Sequence, residues 1–172
     1  MTQSPVPLAL DTASVVTRSA QQTRDLAASL AQAAQPGDRL ALVGPLGAGK
    51  TQFAKGFAAG LGVREVVNSP SFTLMAEYDG RLPLFHQDLY RLAGAEDAIQ
   101  GGLLDERQEE GVTITEWADR LPTALDPGRL AIEIEVGTDD QRRITLHAAQ
   151  AGHAGYLEAA ARWAAGPDAG GQ

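Results

Sequence analysis

The 172-residue chain contains no cysteine. That excludes disulfides, thiolate zinc sites, iron–sulfur clusters and a thiol nucleophile, and it fits a cytoplasmic protein. No apolar run approaches the length of a membrane span, so no membrane partner is expected. Met1 to Leu10 lacks a basic segment followed by an apolar core and does not read as a signal peptide. Positive charge is also scarce: 14 basic residues against 22 acidic ones leave a net charge of −8. So acidic a surface repels nucleic-acid phosphate, which argues against tight unaided binding of RNA or DNA. If RNA is involved, a partner holds it. There is no Asn-Lys-x-Asp motif to read guanine, and no internal repeat. Hydrophobic residues make up 44% of the chain, enough for the core of one domain.

Glycine, by contrast, is plentiful and placed with purpose. Gly44-Pro45-Leu46-Gly47-Ala48-Gly49-Lys50-Thr51 fits the phosphate-binding pattern G-x-x-x-x-G-K-[ST] at every fixed position. The apolar burst Arg39–Val43 before it suits a buried parallel strand. Gln52 to Ala59 after it carries apolar residues at helical spacing. Strand, glycine loop and helix together make a nucleotide cradle. Its backbone N–H groups, from Gly44 through Gly47, Ala48 and Gly49, converge on an anion at the positive end of the helix. Lys50 is expected to reach the β- and γ-phosphates, Thr51 to hold Mg²⁺, and the Gln52 N–H to meet the α-phosphate. The bland alternative, a glycine-rich turn that happens to carry Lys-Thr, does not account for the flanks.

Around this centre the sequence predicts an α/β fold of the P-loop NTPase kind, a three-layer sandwich on a mixed parallel and antiparallel sheet. Residues 1–12 read as a loose lead-in and Ser14–Arg18 as an edge strand. Ser19-Ala20-Gln21-Gln22 has capping-box spacing before a helix running to Ala34, which Gln35–Asp38 breaks. The helix after the loop should stop near Gly60 or Gly62. Strands over Phe72–Tyr78 and Leu82–Leu89 flank the hairpin signal Asp79-Gly80. Residues 93–111 are acidic and glycine-punctuated, with room for a short helix or two. Val112–Thr115 reads as a central strand, and Arg129–Val136 with Arg142–Ala148 as a closing hairpin. A last helix is expected over Tyr156–Ala165, with Gly166–Gln172 disordered. The domain division is 1–150 for the ATPase unit and 151–172 for helix and tail.

A phosphate cradle needs an acid at a neighbouring strand end to manage Mg²⁺ or its waters. Glu116, after Val112–Thr115, and Asp88, closing Leu84–Asp88, are the candidates. Alternation places Leu84, His86 and Asp88 on one face. Lys50, Asp88 and Glu116 form the catalytic set, with Thr51 and Glu116 as the metal pair. Trp117 lines the nucleotide or partner surface, or else packs. His86 is left outside the catalytic set as an interior hydrogen-bonded residue. Ser69-Pro70-Ser71-Phe72-Thr73 lies where a γ-phosphate-sensing loop is often found, although Ser-Pro also favours plain turns. Arg91, Arg142 and Arg143 are possible phosphate contacts that no spacing singles out, and no arginine finger is legible.

Taken together, the chain resembles the TsaE family. Gly44–Thr51, Asn68-Ser69-Pro70-Ser71-Phe72-Thr73-Leu74, His86-Gln87-Asp88-Leu89-Tyr90-Arg91 and Thr115-Glu116-Trp117 occur in that family's order and spacing, from about Ser19 to Leu146. The resemblance implies an ATP-hydrolysing, Mg²⁺-dependent protein working with TsaB and TsaD. That pair transfers a threonylcarbamoyl group to the adenosine beside the anticodon of tRNAs that read codons beginning with A. It implies phosphate and Mg²⁺ roles for Lys50 and Thr51, Mg²⁺ assistance from Glu116, and functional sensitivity at Asp88 and Trp117. The family's first loop spacer is usually acidic, whereas this chain has Pro45, and the tail from Gly152 inherits nothing. Other readings of the loop are a small-molecule kinase, short of chain for an acceptor pocket and lid, and a binding module that only orders residues 69–73.

Overall fold

The computed structural model describes residues 12–70, 74–90, 106–120 and 128–166. In chain order these form β1 (Thr12–Thr17), α1 (Ala20–Ala31), β2 (Arg39–Val43), α2 (Lys50–Gly60), β3 (Met75–Tyr78) and β4 (Leu84–Asp88). There follow β5 (Val112–Glu116), β6 (Leu130–Val136), β7 (Arg142–His147) and α3 (Ala154–Ala165). The seven strands make one sheet in the order β1-β7-β6-β2-β5-β4-β3. Its centre is parallel, β2 running with both β5 and β6 and β5 with β4. Its margins are antiparallel, with β3 on β4, β7 on β6 and β1 on β7. The mixed sheet expected from the two hairpin signals is therefore present. Among the described residues, no helix is long and apolar enough to cross a membrane.

Strand alternation decides what the helices cover. Leu40 pairs with Ile114 and Leu130, Ile132 with Leu146, and Ile144 with Val15, so these side chains share one face. All of them join a single core with Leu26 and Leu30 of α1, Phe53 and Phe57 of α2, and Tyr156 and Leu157 of α3. The same pairing carries Leu42, Asp88 and Glu116 into one row at the carboxyl ends of β2, β4 and β5. The row lies on the face that α2 crosses. α3 packs into the core shared with the rest of the chain, although its sequence lies outside the motifs.

Several boundaries differ from the sequence reading. β1 starts at Thr12, because Thr12 finds a partner in His147. β3 starts only at Met75: Leu74 takes φ 67°, and its N–H turns back to the Pro70 carbonyl. α1 is capped by the Ser19 hydroxyl, which accepts from the Gln22 N–H at 3.1 Å, but the Gln22 side chain accepts from Arg18, not Ser19. α1 ends at Ala31, three residues short of Ala34. α3 begins two residues before Tyr156, behind a 3-10 turn at Ala151–His153. Within 93–111, a 3-10 turn occupies Glu106–Glu110. Residues 93–105, the lead-in before Thr12 and the tail after Gly166 lie outside the described residues.

The crossing of α1 over α2 sets the loop's flank. Gly56 and Gly60, one turn apart, let the helices meet backbone to backbone: a Cβ on Gly56 would lie 2.2 Å from the Arg24 carbonyl oxygen. Gly56→Ala must push α1 away, and overpacking of this kind costs about 1–3 kcal/mol. Urea unfolding should show a loss of that size, whereas Gly152→Ala, with open space around it, should be nearly neutral.

The base of α3 carries an acid-sensitive contact. His153 is buried, and its Nδ1 accepts the Ala149 N–H at 3.0 Å, so a proton there would break the bond. Burial lowers the His153 pKa below the ordinary 6.5, with the nearby Asp38 carboxylate opposing the shift. Below about pH 6.5 the unfolded chain takes up a proton that the folded chain resists, so this part of the stability falls as pH drops. Urea midpoints at pH 7.5 and 5.5 should differ more for the native sequence than for His153→Gln.

Candidate functional site

The glycine loop closes the carboxyl end of β2 and opens into α2. Gly47 and Gly49 have φ of 82° and 105°, a backbone region that side-chain-bearing residues rarely adopt. Gly44 presses against β6, where a Cβ would come within 2.6 Å of the Ile134 carbonyl oxygen. Pro45 is exposed and offers its carbonyl inward. The loop faces a cavity of about 540 Å³, walled by Gly47, Gly49, Lys50, Thr51 and Gln52 on one side. Asp88, Glu116, Trp117, Ser69 and Tyr90 wall the other. Ala48 is buried behind the loop and lines a second hollow of about 270 Å³ with Ser19, Thr23, Asp140 and Arg142.

Each polar group in the main cavity is held. Lys50 is only 5% exposed, and its Nζ donates to the carbonyls of Gly44 at 2.5 Å and Pro45 at 2.9 Å. It also sits 3.8 Å from the centroid of the Trp117 ring. Burial lowers the lysine's pKa, while Glu116, Asp119 and Asp88 favour its charged form. The Thr51 hydroxyl donates to Glu116 Oε1 at 3.0 Å, joining the start of α2 to the end of β5. Asp88 accepts from the Tyr90 N–H at 2.9 Å and from the Ser69 hydroxyl. Trp117 follows directly on β5 with φ 56° and packs on Tyr90, ring centroids 5.0 Å apart. A tryptophan in the left-handed region costs of order 1–3 kcal/mol and persists only where its surroundings dictate it.

Among the described residues there is no cluster of three His, Asp or Glu side chains able to cage a metal. The Thr51 hydroxyl and the Asp88 and Glu116 carboxylates are hard oxygen donors, too few for a complete shell. They suit a cation that completes its shell with water and ligand oxygens, the habit of Mg²⁺.

The expected site residues thus meet around one cavity, with Gly44 and Ala48 supporting the loop from behind. Ser69 reaches Asp88, while Ser71, Phe72, Thr73 and Arg91 lie outside the described residues. Three residues make contacts that the sequence did not reveal. Arg142, grouped there with possible phosphate contacts, lies at the start of β7 and grips the loop's backbone. Its Nε donates to the Ala48 carbonyl at 3.0 Å and its Nη2 to Gly47 at 3.3 Å. The signal was weak because these contacts cross 94 and 95 positions of sequence. Tyr90, two residues past Asp88, forms the cavity's aromatic rim. His86 touches Glu116 from the interior of the sheet.

The family model "Threonylcarbamoyl adenosine biosynthesis protein TsaE" matches residues 17–144. Among curated proteins, the tRNA threonylcarbamoyladenosine biosynthesis protein TsaE of Bacillus subtilis is 46% identical over 129 residues, 74% of this chain and 80% of that protein. The protein of the same name from Treponema pallidum is 41% identical over 131 residues, covering 76% and 97% of the two chains. A crystal structure of Bacillus subtilis YdiB superposes with a TM-score of 0.69 at 38% identity, covering 88% of this chain and 95% of that one.

Removing the guanidinium of Arg142 frees two loop carbonyls, and charge-assisted bonds to such groups contribute about 1.5–3 kcal/mol each before solvent screening. In Arg142→Ala, hydrogen exchange at the Ala48 amide, which bonds to the Pro45 carbonyl at 3.1 Å, should speed up by roughly tenfold or more. Arg143→Ala, one residue along on an exposed position, should leave it unchanged.

Proposed function

Because this chain belongs to the TsaE family of threonylcarbamoyl adenosine biosynthesis proteins, we propose that it is a Mg²⁺-dependent ATPase serving that tRNA modification. Its partners would be TsaB and TsaD. They would carry the threonylcarbamoyl transfer to the adenosine next to the anticodon of tRNAs reading codons that begin with A, and they would hold the tRNA. The work would take place in the cytoplasm. The observation that carries the reading is the single cavity in which Lys50, Thr51, Glu116 and Asp88 face one glycine loop.

The loop amides and the start of α2 bind the phosphate chain as a fixed set of dipoles. Lys50 exchanges its bonds to the Gly44 and Pro45 carbonyls for β- and γ-phosphate oxygens, which brings its charge to the transferring group. Thr51 and Glu116 would hold Mg²⁺, whose charge would offset that of the phosphates when it is bound. Asp88 or Glu116 orients the attacking water. Trp117 and Tyr90 form an aromatic wall that limits solvent at the cavity mouth. A net charge of −8 suits a protein that meets tRNA only through others.

Calorimetry should show Mg-ATP binding to the native chain, and Lys50→Ala should weaken it by roughly ten- to a hundredfold, the scale of about 1.5–3 kcal/mol for losing a charge-assisted contact. ATP turnover should rise when TsaB and TsaD are added. Equal rates with and without them would refute the partnership, and unchanged binding by Lys50→Ala would refute the site.

A further inference from the structure

One buried polar group beside the cavity has no part in the proposed chemistry. His86, in the middle of β4, is fully buried and shares a face with Asp88. Its Nε2 lies 2.6 Å from Glu116 Oε2. An ionised carboxylate only accepts, so Nε2 carries the hydrogen of that bond. Nδ1 is buried and meets no hydrogen-bond partner among the described residues. As a packing residue, imidazole is a poor choice here, since an aliphatic side chain would leave no nitrogen unsatisfied. What the histidine provides is one bond, and that bond goes to Glu116.

The register explains how they meet. His86 stands opposite Ile114, and Glu116 is two residues further along the same face of β5. The other carboxylate oxygen takes the Thr51 hydroxyl at 3.0 Å. A continuous chain therefore runs from the sheet interior to the loop: imidazole N–H, carboxylate, hydroxyl. With both oxygens occupied, the Glu116 carboxylate cannot turn about its own axis.

We propose that His86 is a positioning residue for Glu116, fixing one carboxylate oxygen so that the other stays on Thr51 and the cation side of the cavity. The inference rests on the Mg-ATP reading. Thr51 can donate its hydrogen to Glu116 while its lone pairs face a cation, but only if the carboxylate is held still. Without His86, Glu116 has a competing partner in the buried ammonium of Lys50, whose charge it already influences more than any other carboxylate does. A Glu116 turned to Lys50 would leave Thr51 misdirected and the ammonium engaged. Partners that orient metal-holding carboxylates typically contribute 10- to 100-fold in metal affinity or activity, on the order found for other outer contacts.

The test compares the native chain with His86→Gln and His86→Leu. Glutamine can present an N–H near the place of Nε2, whereas leucine cannot. Calorimetric binding of a non-hydrolysable ATP analogue is measured with Mg²⁺ and again with a chelator in its place. The native chain should gain affinity from Mg²⁺. His86→Leu should lose about tenfold or more of that gain, and His86→Gln should recover most of it. In the native chain without nucleotide, ¹⁵N shifts of the His86 ring should show a protonated Nε2, a reading that needs no variant. A native chain that fails to bind would overturn the ATPase proposal itself. A native chain that binds, with His86→Leu retaining the full Mg²⁺ gain or with Nε2 unprotonated, would overturn the role of His86 alone.

Discussion

The backbone between Val43 and Lys50 must reverse direction within a few residues, with the Gly47 and Ala48 carbonyls turned toward Arg142 and those of Gly44 and Pro45 toward Lys50. Every other part of the site depends on that shape. Two residues with φ near 82° and 105° make the curl, and a third without a side chain lets the loop touch β6. A loop of this form is not stable merely because it is permitted. Its outward carbonyls need donors, and Arg142 of β7 supplies them for Gly47 and Ala48. On the inward side, Lys50 supplies them for Gly44 and Pro45. The loop is therefore clamped by one cation from behind and one from within.

Sheet register converts this loop into a site. β5 lies between β2 and β4, so the ends of β4 and β5 come level with the end of β2. A shift of one residue in either strand would turn Asp88 or Glu116 to the opposite face of the sheet. Hydrophobic pairing prevents the slip, because Leu84, Val112, Ile114 and Leu40 must all stay in the core under α1 and α2. The position of two carboxylates is thus enforced by aliphatic residues that never touch the cavity.

Much of this was legible in the residues themselves. The loop motif, the β2 strand before it and the carboxylates Asp88 and Glu116 follow from local patterns, because alternation and fixed spacing act over a few residues. The fold class followed from two hairpin signals and one strand–loop–helix unit. Arg142, the Trp117–Tyr90 contact and the bond from His86 to Glu116 did not follow, since each depends on which strands become neighbours. His86 shows the difference well: alternation placed it on the face of Asp88, but only the pairing of β4 with β5 gives it a partner. The late start of β3 at Met75 has the same origin, as Leu74 turns to satisfy the Pro70 carbonyl across a loop rather than extend the strand.

Charge balance carries the proposed chemistry one step further. The described cavity wall holds a single cation, Lys50, against the two carboxylates Asp88 and Glu116. A triphosphate brings several more negative charges into a half-enclosed space, where they repel those carboxylates more strongly than they would in water. One ammonium cannot offset both. Under the proposed reading, a divalent ion arriving with the phosphates would offset that repulsion, and the acids that oppose bare ATP would favour its magnesium complex. By linkage, whatever factor Mg²⁺ adds to the affinity for ATP, ATP must add to the affinity for Mg²⁺. On the proposed reading, two carboxylates at the mouth of a phosphate cradle would therefore favour a ligand that arrives with its own cation.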